Sequence, residues 1–282
     1  METLISRAKV LVEALPYIQQ LKGKTVVIKY GGSAMVNPAL KNSVMKDVVL
    51  LTQVGIKVVL VHGGGPEINE TLTKMNLKAE FVDGLRKTDA ETMAVVQMVL
   101  AGKVNKDLVH LIGMIGGKAL GLSGIDGHMI EAETISEKLG YVGKIVKVDP
   151  TLVLDAFAAG YIPVLSTIGY DKKGNVYNIN ADDAAAAIAA ELGAASLISL
   201  TDIKGILKDP EDPNSLLAEI SLEEAEGLIQ NGIIKGGMIP KARCCIEAIK
   251  KGVKKVFILD GRVPHALLIE MLSEEGVGTM FH

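Results

Sequence analysis

From residue 23 onward, short runs of β-branched and other apolar residues alternate with helix-length segments, and no other feature of the sequence narrows the fold as far. Residues 24–30 (KTVVIKY), 56–62 (IKVVLVH), 161–166 (YIPVLS), 196–201 (SLISLT) and 254–260 (KKVFILD) read as strands. Their apolar runs are nearly continuous, the pattern of strands buried on both faces. Helices fill the gaps: one over about residues 39–54 ending at Gly55, one opened by Pro66, and a long one after Thr88. Thr88 and Glu91 have the spacing of a capping box, as do Ser221 and Glu224. This alternation predicts an α/β fold around a mainly parallel sheet. A second set of strand–helix units begins near residue 180, and 209–215 (DPEDPNS) reads as a surface loop.

The N-terminal segment carries Leu4, Ala8, Leu11, Leu15 and Ile18 in one helical stripe, with Pro16 predicting a kink. Such a helix packs either on its own domain or on another subunit, and the pattern serves both. Glu2, Arg7 and Glu13 interrupt what would otherwise be a signal-peptide core. Composition excludes further classes. A net charge of -3, 4% aromatic residues and no Trp give no cationic or stacking surface for nucleic acid. No apolar run approaches the ~18 residues of a membrane span. The only cysteines, Cys244 and Cys245, are adjacent, which suits neither a disulfide framework nor a metal cage and points to a reducing, cytoplasmic setting.

Two glycine turns directly follow predicted strands: Tyr30-Gly31-Gly32-Ser33-Ala34-Met35 and His62-Gly63-Gly64-Gly65-Pro66-Glu67. Without a Cβ, such turns let backbone N–H groups approach an anion, and the following helix N-terminus adds partial positive charge. Taken singly, either could be no more than a tight connection. No stretch fits G-x-G-x-x-G; Gly23-Lys24-Thr25 precedes its strand and lacks the first glycine of a phosphate-binding P-loop. The His62-Gly63-Gly64-Gly65 run has no accompanying G-x-S-x-G elbow, since Gly121-Leu122-Ser123-Gly124-Ile125 lacks the last glycine.

Lys29 ends an otherwise apolar strand beside the first turn, where a buried ammonium needs a partner; a phosphate contact satisfies it better than snorkelling. Lys241 follows Gly236-Gly237 at the start of a helix, where a cation opposes the dipole unless an anion is present. In Asn178-Ile179-Asn180-Ala181-Asp182-Asp183, one aspartate caps the alanine-rich helix that follows. The two asparagines share a face if the segment is extended. Arg86 is either a bidentate clamp for a carboxylate or an ordinary surface arginine.

In this order the motifs resemble the amino-acid kinase family, and within it the branch that phosphorylates N-acetyl-L-glutamate. The resemblance rests on Lys29–Met35, His62–Pro66, Asp83-Gly84-Leu85-Arg86, Asn178–Asp182, Thr201-Asp202-Ile203-Lys204-Gly205 and Gly237-Met238-Ile239-Pro240-Lys241, and spans essentially the whole chain. It implies a three-layer αβα sandwich with a kinked N-terminal helix at residues 1–22, an acyl-amino-acid-binding and dimerising lobe at 23–178, and an ATP-binding lobe at 179–282. It also implies transfer of the ATP γ-phosphoryl group to the side-chain carboxylate of N-acetyl-L-glutamate.

By that likeness Lys29 and Lys241 neutralise the transferring group, Asp182 orients them, and Gly32, Gly64 and Gly65 donate N–H bonds. Arg86, Asn178 and Asn180 hold the acyl amino acid, while Gly31, Gly32, Thr201 and Asp202 line the nucleotide site. Mg²⁺ is held mainly by nucleotide phosphates and water, so no dedicated protein metal cage is expected. A carboxylate nucleophile needs no general base, in keeping with the absence of a conspicuous catalytic His or Cys. Arginine-inhibited members share the N-terminal extension, which interlaces three dimers into a hexamer. The resemblance therefore extends to an L-arginine site at Tyr17, His265, Glu275 and Gly278. The alternatives are another small-molecule kinase of this family and a non-catalytic amino-acid sensor on the same fold.

Overall fold

The computed structural model describes residues 2–209, 211–212 and 214–282. Met1 and, in the turn-rich loop, Pro210 and Pro213, together with the side chains of Glu2, Thr3, Ser6, Arg7 and Ser33, lie outside that description. The chain opens with α1 (Glu2–Glu13) and α2 (Leu15–Leu21), interrupted at Ala14 because Pro16, in the first turn of α2, cannot continue the hydrogen-bond ladder. Then come β1 (Thr25–Tyr30), a 3-10 turn (Gly32–Met35), α3 (Pro38–Gln53), β2 (Lys57–His62) and α4 (Gly65–Lys74). A small hairpin of β3 (Phe81–Val82) and β4 (Leu85–Arg86) precedes α5 (Ala90–Gln97), which passes through a π-helical stretch (Met98–Val104) into α6 (Asn105–Met114).

Strands β5 (Ala119–Ser123), β6 (Ile130–Thr134) and β7 (Val142–Val148) follow, then α7 (Thr151–Ala158), β8 (Ile162–Ser166), β9 (Ile168–Tyr170) and β10 (Val176–Ile179). The remaining elements are α8 (Ala181–Glu191), β11 (Ser196–Thr201), β12 (Glu219–Ile220), α9 (Leu222–Gln230), α10 (Met238–Lys250), β13 (Lys255–Asp260), α11 (Ala266–Leu272) and β14 (Thr279–Phe281).

One eight-stranded sheet runs in the order β12-β14-β13-β11-β1-β2-β8-β5. All its neighbours are parallel except β13 with β14. Strands from before residue 167 therefore lie on one side of the β1–β11 junction and those after residue 195 on the other. Alternation along β1 sends Val26, Ile28 and Tyr30 into a core covered by α3, α5, α6 and α11, and Val27 into a core covered by α7, α8 and α10. Helices on both faces give the three-layer α/β sandwich. The same alternation puts Lys29 on the α8–α10 face, which decides the site.

Several elements differ from the sequence reading. β6, β7, β9 and β10 close into a small barrel, of which only 143–149 looks strand-like in sequence. The cap of α5 is Asp89, whose carboxylate accepts from Thr92 N at 2.8 Å. Thr88 is unsuited to that role because it is fully buried and its hydroxyl donates inward to Arg86 O. The Ser221–Glu224 capping box forms as the spacing predicts. Leu4 and Leu11 of α1 remain 66% and 75% exposed, so this chain does not cover the α1 part of the stripe; α2 packs against α11, although its first residue, Leu15, is still 49% exposed.

Candidate active site

Three segments distant in sequence meet at Asp182. Lys29 Nζ lies 3.0 Å from its Oδ1 and Lys241 Nζ 3.2 Å from its Oδ2, so one carboxylate holds two ammonium groups. Lys29 comes from the last positions of β1, Asp182 from the first turn of α8 and Lys241 from the first turn of α10. All three side chains are largely withdrawn from water. Burial pushes the Asp182 carboxyl up, but the Lys29 and Lys241 charges outweigh that and hold it below the usual carboxylate range.

The capping assignment at α8 differs from expectation in a way that matters. Asn180, and neither aspartate, caps the helix, its Oδ1 accepting from Asp182 N at 2.8 Å and Asp183 N at 3.3 Å. Both Asp182 oxygens are thus left for side-chain donors. Sequence reasoning missed one of those donors, Ser199: its hydroxyl donates to Asp182 Oδ1 at 3.2 Å. Ser199 pairs with Lys29 in the parallel β1–β11 register and so projects from the same face. Below them, the Cys244 thiol donates to Asp182 O at 3.4 Å. Burial, then the neighbouring Asp182 and Asp183 charges, push that thiol up to about 12, which leaves it protonated.

Both glycine turns flank this cluster. At Gly31 a Cβ would stand 3.1 Å from Lys29 Nζ. Gly32 has φ +71°, and a Cβ there would come within 2.5 Å of Asp202 Oδ1, so neither its conformation nor its surroundings admit a side chain. The second turn begins with Gly63 N donating to Tyr30 O at 3.1 Å, and its Gly63 lies against Ala181 at the start of α8. Gly64 precedes the first residue of α4, Gly65.

Arg86 and Asn178 are drawn together by a residue the sequence reading used only as a cap. Thr88 Oγ1 donates to Arg86 O at 2.8 Å and accepts from Asn178 Nδ2 at 3.3 Å. The guanidinium of Arg86 lies 4.8 Å over the Phe81 ring and gives one donor, Nη2, to Gly65 O at 3.3 Å. Its Nη1 is buried with no partner among the described residues. Burial also lowers the guanidinium pKa. An orphaned donor of this kind is costly unless an acceptor is supplied, and a carboxylate supplies one bidentately.

On the other side of the turn, Asp202, Ile203, Lys204, Gly205, Met238 and Arg262 border a cavity of about 330 Å³. Thr201, at the end of β11, pairs with Asp260, which Arg262 grips with Nε at 2.9 Å and Nη2 at 2.8 Å. Arg262 has no motif signal in the sequence. Of the residues singled out near the chain's ends, Tyr17 and Gly278 border a second cavity of about 470 Å³ between α2 and α11, together with Lys24, Glu219, Glu270 and Glu274. His265 lies outside it, its Nδ1 2.5 Å from Asp47 Oδ1, and Glu275 lines an adjacent groove with Glu13. Among the described residues no group of three His, Cys, Asp or Glu side chains is placed to hold a metal.

A model of the amino acid kinase family matches residues 24–260. The acetylglutamate kinase of Clostridium kluyveri is 54% identical over 98% of this chain and 98% of its own length. That of Brachyspira hyodysenteriae is 54% identical over 100% of this chain and 99% of its own. Among solved structures, N-acetylglutamate synthase from Neisseria gonorrhoeae superposes with a TM-score of 0.85 in complex with coenzyme A and N-acetyl-glutamate, at 26% identity over 97% of this chain. With coenzyme A and L-arginine bound, it superposes with a TM-score of 0.80 at 25% identity over 97% of this chain. The chain spans 63% and 65% of those two synthase chains.

Proposed function

The chain belongs to the amino acid kinase family, and from that premise we propose that it transfers the γ-phosphoryl group of ATP to the side-chain carboxylate of N-acetyl-L-glutamate. The product is N-acetyl-L-glutamyl 5-phosphate, on the route to arginine. The observation that carries this reading is the pair of ammonium groups on one buried carboxylate, Lys29 and Lys241 on Asp182. Near-full-length relatives named acetylglutamate kinase support the choice of acceptor.

In-line phosphoryl transfer asks for alignment and for positive charge around the equatorial oxygens. Lys29 and Lys241 supply that charge from opposite sides, and Asp182 holds them apart and aimed. Backbone N–H groups of Gly31, Gly32, Gly64 and Gly65 approach the phosphates and the acceptor without side chains in the way. Arg86, whose Nη1 is buried without a partner among the described residues, and Asn178 hold the α-carboxylate of the acyl amino acid, and Thr88 ties the Arg86 backbone to the Asn178 side chain. Asn180 spends its carbonyl oxygen on the α8 cap, which limits it to donating through its amide. The acceptor carboxylate is itself the nucleophile, so no side chain has to remove a proton.

Asp202 and Arg262 border the nucleotide cavity, and Thr201 ends the strand that leads into it. Mg²⁺ would be held mainly by the nucleotide phosphates, whose charge it would screen, with the Asp202 carboxylate beside Gly32 as a hard oxygen donor of the kind it accepts. The lobes are residues 23–178 for the acyl amino acid and 179–282 for ATP, meeting at the β1–β11 junction of one sheet. Residues 1–22 form an interface helix in a cytoplasmic hexamer built from three dimers, in keeping with the uncovered α1 stripe.

L-arginine inhibits through the α2–α11 cavity, whose lysines and glutamates match the carboxylate and guanidinium ends of that ligand. A coupled ADP-release assay with N-acetylglutamate, glutamate, aspartate and UMP tests the activity. Turnover confined to N-acetylglutamate is expected; arginine binding without turnover of any of the four would make the protein a sensor instead.

A further inference from the structure

His62 is fully buried, and the phosphoryl-transfer scheme gives it no part. Its ring nevertheless sits beneath the second glycine turn in a closed hydrogen-bond network. Nδ1 lies 2.8 Å from Gly63 O, an acceptor, so Nδ1 carries the proton. Nε2 is then the free acceptor and receives Asn105 Nδ2 at 3.1 Å. The Asn105 amide orientation is fixed in turn by donation to Val164 O at 2.9 Å and by Lys106 Nζ donating to its Oδ1 at 3.0 Å. Asn105 is the first residue of α6, immediately after the π-helical stretch. That stretch also packs the turn directly: a Cβ at Gly64 would stand 2.6 Å from Leu100 Cδ2.

We infer that His62 and Asn105 form a positioning device that sets the Gly63–Gly64 peptide plane, and through it the direction of the Gly64 N–H. In a planar trans peptide the carbonyl and the following N–H point to opposite sides. Holding Gly63 O on the buried imidazole therefore turns the Gly64 N–H out of the core, toward the side of the turn where ligands bind. Gly63 N is already tied to Tyr30 O and Gly64 O to Ile68 N. The Gly63 carbonyl is the remaining anchor of the turn, and His62 supplies it. An N–H donor aimed in advance loses no reorganisation energy during transfer, whereas one free to rotate does. The inference deepens the phosphoryl-transfer reading and rests on it.

Two conservative substitutions separate the two ring contacts. In His62→Asn the amide falls near the Nδ1 position and can still donate to Gly63 O. In His62→Gln it falls near Nε2 and keeps only the Asn105 side. His62→Gln should lower kcat by about 10-fold or more, a fraction of what removing a whole oxyanion donor costs, with KM for ATP within about twofold. His62→Asn should restore most of the loss.

Equal kcat losses in the two variants, or none in His62→Gln, would overturn the inference. A measurement on the wild-type protein needs no variant to fold. Nitrogen-15 NMR of the buried His62 ring at neutral pH should show a neutral ring protonated at Nδ1, and protonation at Nε2 would overturn the inference equally. Wild-type protein that turns over no N-acetylglutamate yet shows the Nδ1–H ring would sink the proposed activity and leave the hydrogen-bond assignment standing.

Discussion

Replacing Asp182 with Asn removes one charge and almost no volume, and two different quantities should respond in opposite directions. At 3.0 and 3.2 Å each ammonium contact is worth about 5 kcal/mol gross at an effective dielectric of 20. Desolvation of the three groups takes back much of that. Removing one partner of a buried pair typically costs ~3–5 kcal/mol, because the charge left behind has no counterion. In Asp182→Asn two ammonium groups are left, 10% and 27% exposed, and they repel each other.

The unliganded variant should lose about 3 kcal/mol of stability, read from denaturant midpoints. Because the folded carboxyl titrates below its unfolded value, the wild-type advantage is complete at neutral pH. It shrinks as pH falls through the folded value. The same two uncompensated cations should bind inorganic phosphate or ATP at least as tightly as wild type while no longer being held in line for transfer. We expect kcat to fall about 100-fold or more, by analogy with loss of other transition-state charge donors, with KM for ATP unchanged or lower. The assay is coupled ADP release, with calorimetry for nucleotide affinity. A kcat within threefold of wild type would refute the positioning role, and so would ATP affinity that weakens in step with kcat.

Three further outcomes follow from other parts of the molecule. Arg86→Ala should raise KM for N-acetylglutamate about 10- to 100-fold with a smaller change in kcat, because the lost interaction is made in the ground state as well; an unchanged KM refutes the clamp. Burial pushes the Asp47 carboxyl up to about 6 against the lowering effect of its His265 contact. The folded protein therefore binds an extra proton below pH 6, and stability falls as pH rises from about 4 to 6. Asp47→Asn should be about 1–3 kcal/mol more stable than wild type at pH 8 and hold no advantage at pH 4; destabilisation at pH 8 refutes the assignment. Removing residues 1–20 should abolish arginine inhibition and reduce the mass in solution while preserving turnover without arginine. Retention of both the inhibition and the mass refutes the regulatory reading.

The parts of this fold that can be read from sequence are those written by a single local rule. Five near-continuous apolar runs become β1, β2, β8, β11 and β13, the adjacent central strands of the large sheet, because burial on both faces leaves no polar positions. Ser221 and Glu224 become a capping box because both partners lie within four residues. The barrel strands are less visible, since β6 and β7 interleave charged and apolar positions, β9 and β10 are only three and four residues long, and all four gain their stability from pairing with each other. The π-helical stretch is hidden for a similar reason. Met98–Val104 holds one weak helix former, Gly102, which does not by itself specify a widened turn; what distinguishes the segment is that its Leu100 packs over Gly64 across the fold.

The site shows where local rules compete. Asn180, Asp182 and Asp183 are all good helix caps, and propensity alone cannot rank them. Tertiary structure decides. Had Asp182 capped α8, one of its oxygens would face backbone N–H groups, and only one lysine could meet the other squarely. With Asn180 as the cap, a neutral amide meets the helix N-terminus, and the full carboxylate charge is free for Lys29, Lys241 and Ser199. The cost is borne by Asp183, whose carboxyl is pushed up by burial and by the Asp182 charge beside it. A charged cap at position 180 would add a third carboxylate to this helix N-terminus and draw the lysines away from Asp182. The neutrality of Asn180 is therefore part of the electrostatic design of the site, although its side chain touches neither lysine.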